Sequence, residues 1–471
     1  MRSNKSEDKG YRLADAFLKV PQYKPYFDAL EDSPLAKVRP ISNTDVVILG
    51  KQFRQFEQYK RMVNEIGTIR DLGQLPKYAY DVITANYAAS IIPLLSSVQP
   101  IPSQQGLVYF KQIKARTTRG TVTTGQILRN ATEAPEVQAV GFAGEHVVQN
   151  LGLLNAGQQI YNFNLTPAPV RERQVTIKLS KYPTQKLIDD GEGNLVPSGG
   201  ALATGIINYS TGLCTVEFIP VIDGTETASA EFATDFEESG NLPTVQSGYD
   251  STDVRAELFA IRSEMGMMKM YELKKTFGKE GETEMINDLT QEINAELGNT
   301  LISRMAAASF GTPIVWNSAH DAGISEVEHK MAFRNRISEA ESKIYRAAGR
   351  GQVTAIVCGA KASQLFDQLG GVFEKIGFAS SGPTLYGMYN KNTPVIRAID
   401  VVGDSDVYCI YKGTGNFDAP AVYCPYMPLV VNGSLPVLNN VMKHQAFAAV
   451  WSAMRVVVNR FITKIEIGGL V

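Results

Sequence analysis

From residue 282 to 308 the chain runs without a proline and with a single glycine, Gly298. Met285, Leu289, Ile293, Leu297, Leu301 and Met305 recur there at every fourth position. That spacing predicts one unbroken helix of about 27 residues, ~40 Å long. A step of four overshoots a full turn by about 40°, so the apolar stripe winds round the helix instead of keeping to one side. A helix of this kind needs partners on several sides.

The rest of the chain offers those partners in segments of contrasting texture. Hydrophobic residues at 44% and charged residues at 20% exclude a disordered chain, and 471 residues leave room for roughly three domains. In about the first 40 residues Pro21, Pro25, Pro34 and Pro40 recur every few positions, predicting an extended arm. Tyr11, Phe17, Tyr23, Tyr26 and Phe27 are interleaved with them, more aromatics than a free tail carries. The arm is therefore expected to lie on something, either its own domain or a neighbouring copy. Residues 51–69 read as a helix, with Phe53, Phe56, Met62 or Val63, and Ile66 on one face. Residues 107–113 read as a strand, and the threonine-, glycine- and polar-rich stretches 117–124 and 130–144 as a long β-loop.

Between about 150 and 248 short alternating strands (174–179, 206–209, 213–219) are separated by the turn sequences DDGEGN, NYSTG and IDGTE. This pattern predicts a small inserted β-sandwich or β-barrel. After the long helix come a second helix at 326–348, a buried strand at 353–357 and a helix at 360–369. Residues 371–437 are glycine- and proline-rich with short strands, and 445–467 hold an apolar, β-branched run suited to closing a central sheet. The class is α+β.

Lysine plus arginine total 46 against 48 aspartate plus glutamate, so no global field draws the chain onto nucleic acid or an anionic membrane. The four cysteines, Cys214, Cys358, Cys409 and Cys424, never approach CxxC spacing, and a reducing cytosol is expected. Residues 1–10 are polar and no apolar core follows before Pro21, so no secretory leader is expected. The longest apolar stretches, such as 91–95 and 446–450, fall far short of the roughly 20 residues of a membrane span.

Catalytic chemistry finds no foothold. The four histidines are His146, His320, His329 and His444, and the spacing of His320 and His329 fits no common zinc motif. There is no GxSxG elbow and no GxxxxGK[ST] phosphate loop, while the GTG at 413–415 lacks a strand–GxGxxG–helix context. Paired acids such as Glu237 with Glu238 and Glu292 with Glu296 read as solvated faces or intersubunit salt bridges. No cofactor, metal or catalytic residue is expected.

Three segments carry a family resemblance. Val98-Gln99-Pro100 followed by Gly106-Leu107-Val108-Tyr109-Phe110 is similar to a VQPM…TGxVFAL stretch. Residues 256–296 resemble a run into a spine helix, with Glu282, Glu284, Leu289, Glu292, Ile293, Asn294 and Glu296 in place. Tyr411-Lys412-Gly413, Asp418-Ala419 and Tyr423-Cys424-Pro425-Tyr426-Met427-Pro428-Leu429 are similar to a YxPYxPL motif and its approach. The family is that of tailed-bacteriophage major capsid proteins of HK97-like fold, in its T4-type branch. One departure is that the first seventy residues lack the (Leu/Ile)-x-Glu tripeptide after which that branch is usually trimmed.

The resemblance implies an HK97-like α+β subunit in six parts. These are an N-terminal arm (1–50), a peripheral domain (51–115, 309–349 and 438–471), an extended loop (116–149 and 249–262), an inserted β-domain (150–248), a spine-helix region (263–308) and an axial domain (350–437). It implies a shell protein that assembles with itself into hexamers, with pentamers left open, and with portal, scaffold and decoration proteins as partners. Such a shell encloses double-stranded DNA without reading its sequence, assembles in the bacterial cytoplasm and ends in the virion capsid. Glu284, Leu289, Glu292, Ile293, Glu296, Tyr423, Pro425, Tyr426 and Pro428 become candidate assembly residues. A vertex protein of the same family, another phage structural component, and an α/β enzyme or carbohydrate-binding protein with a β-sandwich are the alternatives.

Overall fold

A computed structural model describes residues 5–65, 79–130, 139–200, 203–219, 224–239, 242–320, 323, 325–376, 382–413, 418–437 and 440–470. The chain divides into two compact units. One comprises Met1–Phe110, Ala131–Glu133 and Asp250–Val471, and the other Lys111–Asn130 and Ala134–Tyr249.

The first unit begins with helices where the proline spacing predicted an extended arm. Helix α1 (Lys5–Leu18) ends before Pro21 and helix α2 (Lys24–Glu31) carries Pro25 in its first turn. A short helix, Pro34–Val38, starts on a proline and is capped by the Ser33 hydroxyl. Proline is tolerated in a first turn because its missing N–H has no intrahelical acceptor there. The prolines therefore punctuate helices here and do not forbid them.

This helical segment packs on its own unit. Phe17, Tyr23, Phe27 and Leu30 are buried against Leu49, Phe53 and Phe56 of helix α3 (Asn43–Glu65), where Ile66 of the expected helical face falls outside the described residues. The Tyr23 and Phe53 rings are 5.0 Å apart, and the Tyr23 hydroxyl donates to Glu57 at 2.7 Å. A Cβ at Gly50 would lie 2.5 Å from the Phe17 ring, so only glycine lets α1 approach this closely. Each buried aromatic contributes about 1.5–3 kcal/mol.

The long helix is present as α6 (Gly281–Ala307), after helix α4 (Ala79–Ala89) and helix α5 (Met267–Phe277). All six residues of its winding stripe are buried. Their cover comes from the same unit: α4, α5 and the strands β1 (Glu257–Gly266), β2 (Ala421–Val437) and β3 (Asn440–Val456). The stripe thus needs no neighbouring copy to cover it.

These strands form a four-stranded sheet in the order Ser97–Val98, β2, β3, β1. The ladder from Glu257↔Ser452 to Gly266↔Lys443 fixes β1 on β3, so residues 257–262 belong here and not to an extended loop. A second sheet has seven strands: Ile314–Asn317, β4 (Ile462–Gly468), Asp406–Ile410, Ala355–Cys358, Thr393–Arg397, Thr384–Tyr389 and Phe373–Lys375. Helix α7 (Phe333–Ala348) covers it with Phe333, Ile337 and Ala340. Cross-strand pairing overrides two expected boundaries. Strand β2, assigned to an axial segment, pairs with β3, and β4 lies inside the sheet built from 355–410.

The second unit holds an eight-stranded antiparallel sheet that starts at His146, slightly before the expected 150. Its core includes Ile177, Leu187, Val216, Phe218 and Phe232. The DDGEGN turn closes as the sequence suggested: Asp190 accepts from the backbone N–H groups of Glu192 and Asn194, with Gly191 and Gly193 at positive φ. A satellite cluster of Ala115, Val122 and Phe142 holds part of the 116–149 segment, of which 131–138 fall outside the described residues.

Ile293 is fully buried at the middle of α6. Ile293→Ala should destabilise the subunit by about 2–5 kcal/mol in urea unfolding. A loss below about 1 kcal/mol would contradict the packing described.

Candidate functional site

The candidate residues divide into a buried set and an exposed set. Leu289 and Ile293 face the core of the first unit, as does Tyr423 on β2. Tyr423, Pro425 and Pro428 meet Leu297 of α6 and Ile83 and Tyr87 of α4 around a cavity of about 30 Å³. Burial pushes the Tyr423 phenol up to about 12. Pro425 and Pro428 lack ladder donors, and the β2–β3 register shifts between Pro425 and Met427 and again between Met427 and Val430. The motif therefore bends the hairpin over the long helix. Tyr426 is half-buried in a different cluster with Cys424 and Phe461. Glu284 pairs with Lys279 at 2.7 Å, while Glu292 and Glu296 are exposed.

Next to this region lies a polar network that sequence reading did not single out. The Arg39 guanidinium grips Asp45 with two hydrogen bonds of 2.9 and 2.8 Å. Tyr87 donates to the same carboxylate at 2.7 Å, and the Ser42 N–H and hydroxyl donate at 2.9 and 2.8 Å. The Asp45 N–H in turn reaches the Ser42 oxygen at 3.4 Å, a reciprocal cap at the start of α3. Burial alone would raise the Asp45 pKa, but Arg39, Tyr87 and the Ser42 N–H outweigh it and hold the carboxyl at about 2. The legible signal was Ser42-x-x-Asp45 ahead of Val46-Val47-Ile48-Leu49; the parts played by Arg39 and Tyr87 depend on tertiary structure.

Lys412 completes the network. Its Nζ donates to the Pro93 carbonyl, and its backbone N–H donates to Thr354 Oγ1 at 2.7 Å. Burial, then the Arg39 charge, lower its pKa to about 8 against a smaller opposing pull from Asp45. Arg39, Asp45, Tyr87 and Lys412 line a cavity of about 330 Å³. No nucleophile or metal cluster accompanies them: among the described residues no three His, Cys, Asp or Glu side chains gather as a metal site. The four cysteines are buried and free, and burial pushes each thiol up to about 12. His329 stacks on Trp316 at 5.1 Å, with Nε2 2.8 Å from the Asn317 carbonyl oxygen. No helix among the described residues is long and apolar enough to cross a membrane. The network can hold helices together and offers no group set for bond making.

The family described as "Major capsid protein Gp23" matches residues 73–463, most of the chain. The chain belongs to the Gp23 major capsid protein family. Comparison with curated protein sequences finds no match. Among solved structures, the capsid of jumbo bacteriophage PhiKZ is similar with 9% identity and TM-score 0.34, over 78% of this chain and 70% of that one. The head of Helicobacter pylori bacteriophage KHP40 is similar with 11% identity and TM-score 0.31, over 50% and 79%. A virus-like particle from Pyrococcus furiosus is similar with 9% identity and TM-score 0.31, over 47% and 81%. These likenesses are loose, and the family match carries the assignment.

In this capsid protein the Arg39–Asp45 network fixes α3 against α4 beside the bent hairpin. Asp45→Ala leaves a largely buried guanidinium unpaired and should cost about 3–5 kcal/mol in thermal or urea unfolding. Because the folded-state Asp45 pKa is depressed, its contribution is present above the ordinary value of 3.8 and lost as pH falls towards about 2. Acid unfolding of the unsubstituted capsid protein should steepen in that window, and the Asp45→Ala protein should lack this component.

Lys412 has the opposite linkage. Its folded-state pKa is lowered, so between about 8 and the ordinary 10.5 the unfolded chain binds the extra proton and stability rises with pH. Lys412→Met should abolish that alkaline rise in melting temperature. An unchanged rise would place the buried amine outside the effect.

Proposed function

We propose that this capsid protein closes, with many copies of itself, into the icosahedral head of a tailed bacteriophage, using an HK97-like subunit and enclosing double-stranded DNA. The observation that carries the reading is the Gp23 family match over residues 73–463. Membership of that family makes the chain a structural protein of the virion capsid that assembles with itself into the shell. Its further partners on this reading are portal, scaffold and decoration proteins, met in the bacterial cytoplasm where the head is built.

Two features support it. The formal net charge of -2 suits a container, since a strongly basic lining would bind the packaged genome at every subunit, whereas solvent cations neutralise it instead. The first unit also keeps its long helix and N-terminal helices covered by its own residues, leaving a firm body whose surface charges and loops are available for repeated contacts. Each such contact needs to be only modest, because symmetry repeats it many times.

The purified chain, alone or with scaffold and portal proteins, should give hexamers, sheets or closed particles in size-exclusion chromatography and negative-stain microscopy. Pentamers alone would mark it as a vertex subunit. A monomer that persists at high concentration with scaffold and portal present would overturn the shell reading.

A further inference from the structure

The cavity of about 330 Å³ beside the Arg39–Asp45 network is larger than a structural ion pair needs. One buried water takes up about 30 Å³, and sites for small molecules begin near about 300 Å³. The wall draws on separate stretches of the first unit: the chain around the start of α3, Tyr87 of α4, residues between 93 and 98, Thr354, Asn392 with Pro394, and Lys412 with Gly413. Val38, Ile48, Pro93, Leu94, Val98 and Pro394 make much of it apolar. Ser42 and Thr44 also line it and are exposed, so this side is open to solvent.

The charges in the wall do not cancel. Arg39, Asp45 and Lys412 are the charged lining residues, which leaves one positive charge in excess. Tyr87, the remaining titratable group there, stays neutral as it donates to Asp45. Asp45 cannot serve Lys412 as well, because it already accepts two hydrogen bonds from Arg39, two from Ser42 and one from Tyr87. A carboxylate has about four lone-pair sites, so this one is saturated.

Donors are left over. Lys412 Nζ gives one of its three N–H bonds to the Pro93 carbonyl, a neutral acceptor. Arg39 Nε is buried and has no hydrogen-bond partner among the described residues. A largely apolar cavity with one surplus cation and spare donors is complementary to a monoanion with an apolar body. Inorganic phosphate fits less well, since its second charge would face Asp45 and its oxygens would face apolar wall.

We propose that this cavity binds a small organic acid, one carboxylate on an aliphatic or aromatic body. The carboxylate pairs with Lys412 beside Arg39, and the body lies against Val38, Ile48, Leu94 and Val98. The bound acid ties the chain before α3 to the 93–98 segment and to Lys412, so it stabilises the folded subunit by mass action. The site belongs to the single subunit, and its test is independent of assembly.

Hexanoate and benzoate serve as probes for the full chain, read by isothermal titration calorimetry and by melting temperature. Both should bind saturably, one per chain, and raise the melting temperature with concentration. Hexan-1-ol and inorganic phosphate should bind at least tenfold more weakly. Affinity for the acids should fall as pH rises through about 8, where Lys412 loses its proton. Lys412→Met should weaken binding at least tenfold. Thr44→Glu should do the same by cancelling the surplus charge, and an acid is well tolerated in the first turn of α3; circular dichroism checks that each variant folds, and Thr44→Glu decides alone if Lys412→Met does not. Absence of saturable binding at millimolar acid means the cavity holds water only and overturns the proposal. Equal binding of phosphate or of hexan-1-ol overturns the organic-acid assignment, and acid binding unchanged in the folded variants overturns the location.

Discussion

The winding apolar stripe of α6 sets the terms for the first unit. A helix with apolar residues every fourth position cannot rest on one flat surface, and the chain covers it from several directions. Helix α4 and the four-stranded sheet share its buried residues, and the N-terminal helices extend the same core through Phe53 and Phe56. Met285, Leu289, Ile293, Leu297, Leu301 and Met305 are all at most 2% exposed. Burial on this scale lets one helix organise segments far apart in sequence. Gly298 belongs to the same logic, since a Cβ there would press on Pro383 at 3.2 Å.

Polar groups refine what apolar packing begins. Asp45 accepts from Arg39, Tyr87 and Ser42, so a single carboxylate fixes the start of α3, the chain before it and α4. An ion pair of this kind adds little net stability compared with an apolar replacement, but it tolerates only one arrangement of its partners. Specific geometry matters in a subunit whose surface must present the same contacts in every copy.

What could be read from sequence followed from local periodicity. The long helix and the strands 176–179, 203–208 and 213–218 were legible because apolar spacing and turn residues act within a few positions. The N-terminal segment was misread because the effect of a proline depends on where it falls in a helix, and Pro25 and Pro34 fall in first turns. Strand partners were not legible: pairing 97–98 with 422–423, or 314–317 with 465–468, is a long-range choice that no local pattern records. The same holds for the candidate site. Motif residues such as Tyr423, Pro425 and Pro428 are apolar or ring-bearing, and the structure places them in the subunit's own interior. Glu292 and Glu296 were visible as paired acids, but their exposure on α6 became evident only when their surroundings were known.

Strand β4 has a consequence for timing during synthesis. It sits between 314–317 and 406–410, so the seven-stranded sheet has a gap until residue 468 has left the ribosome. Ile465 and Ile467, both in the core of that sheet, arrive after nearly everything they touch. A nascent chain therefore carries an unfinished sheet with two open inner edges, a state that favours capture by chaperones and disfavours firm docking. Pairing of β4 joins 314–317 to 406–410 and closes both open edges at once, so the seven-stranded sheet becomes continuous in a single step.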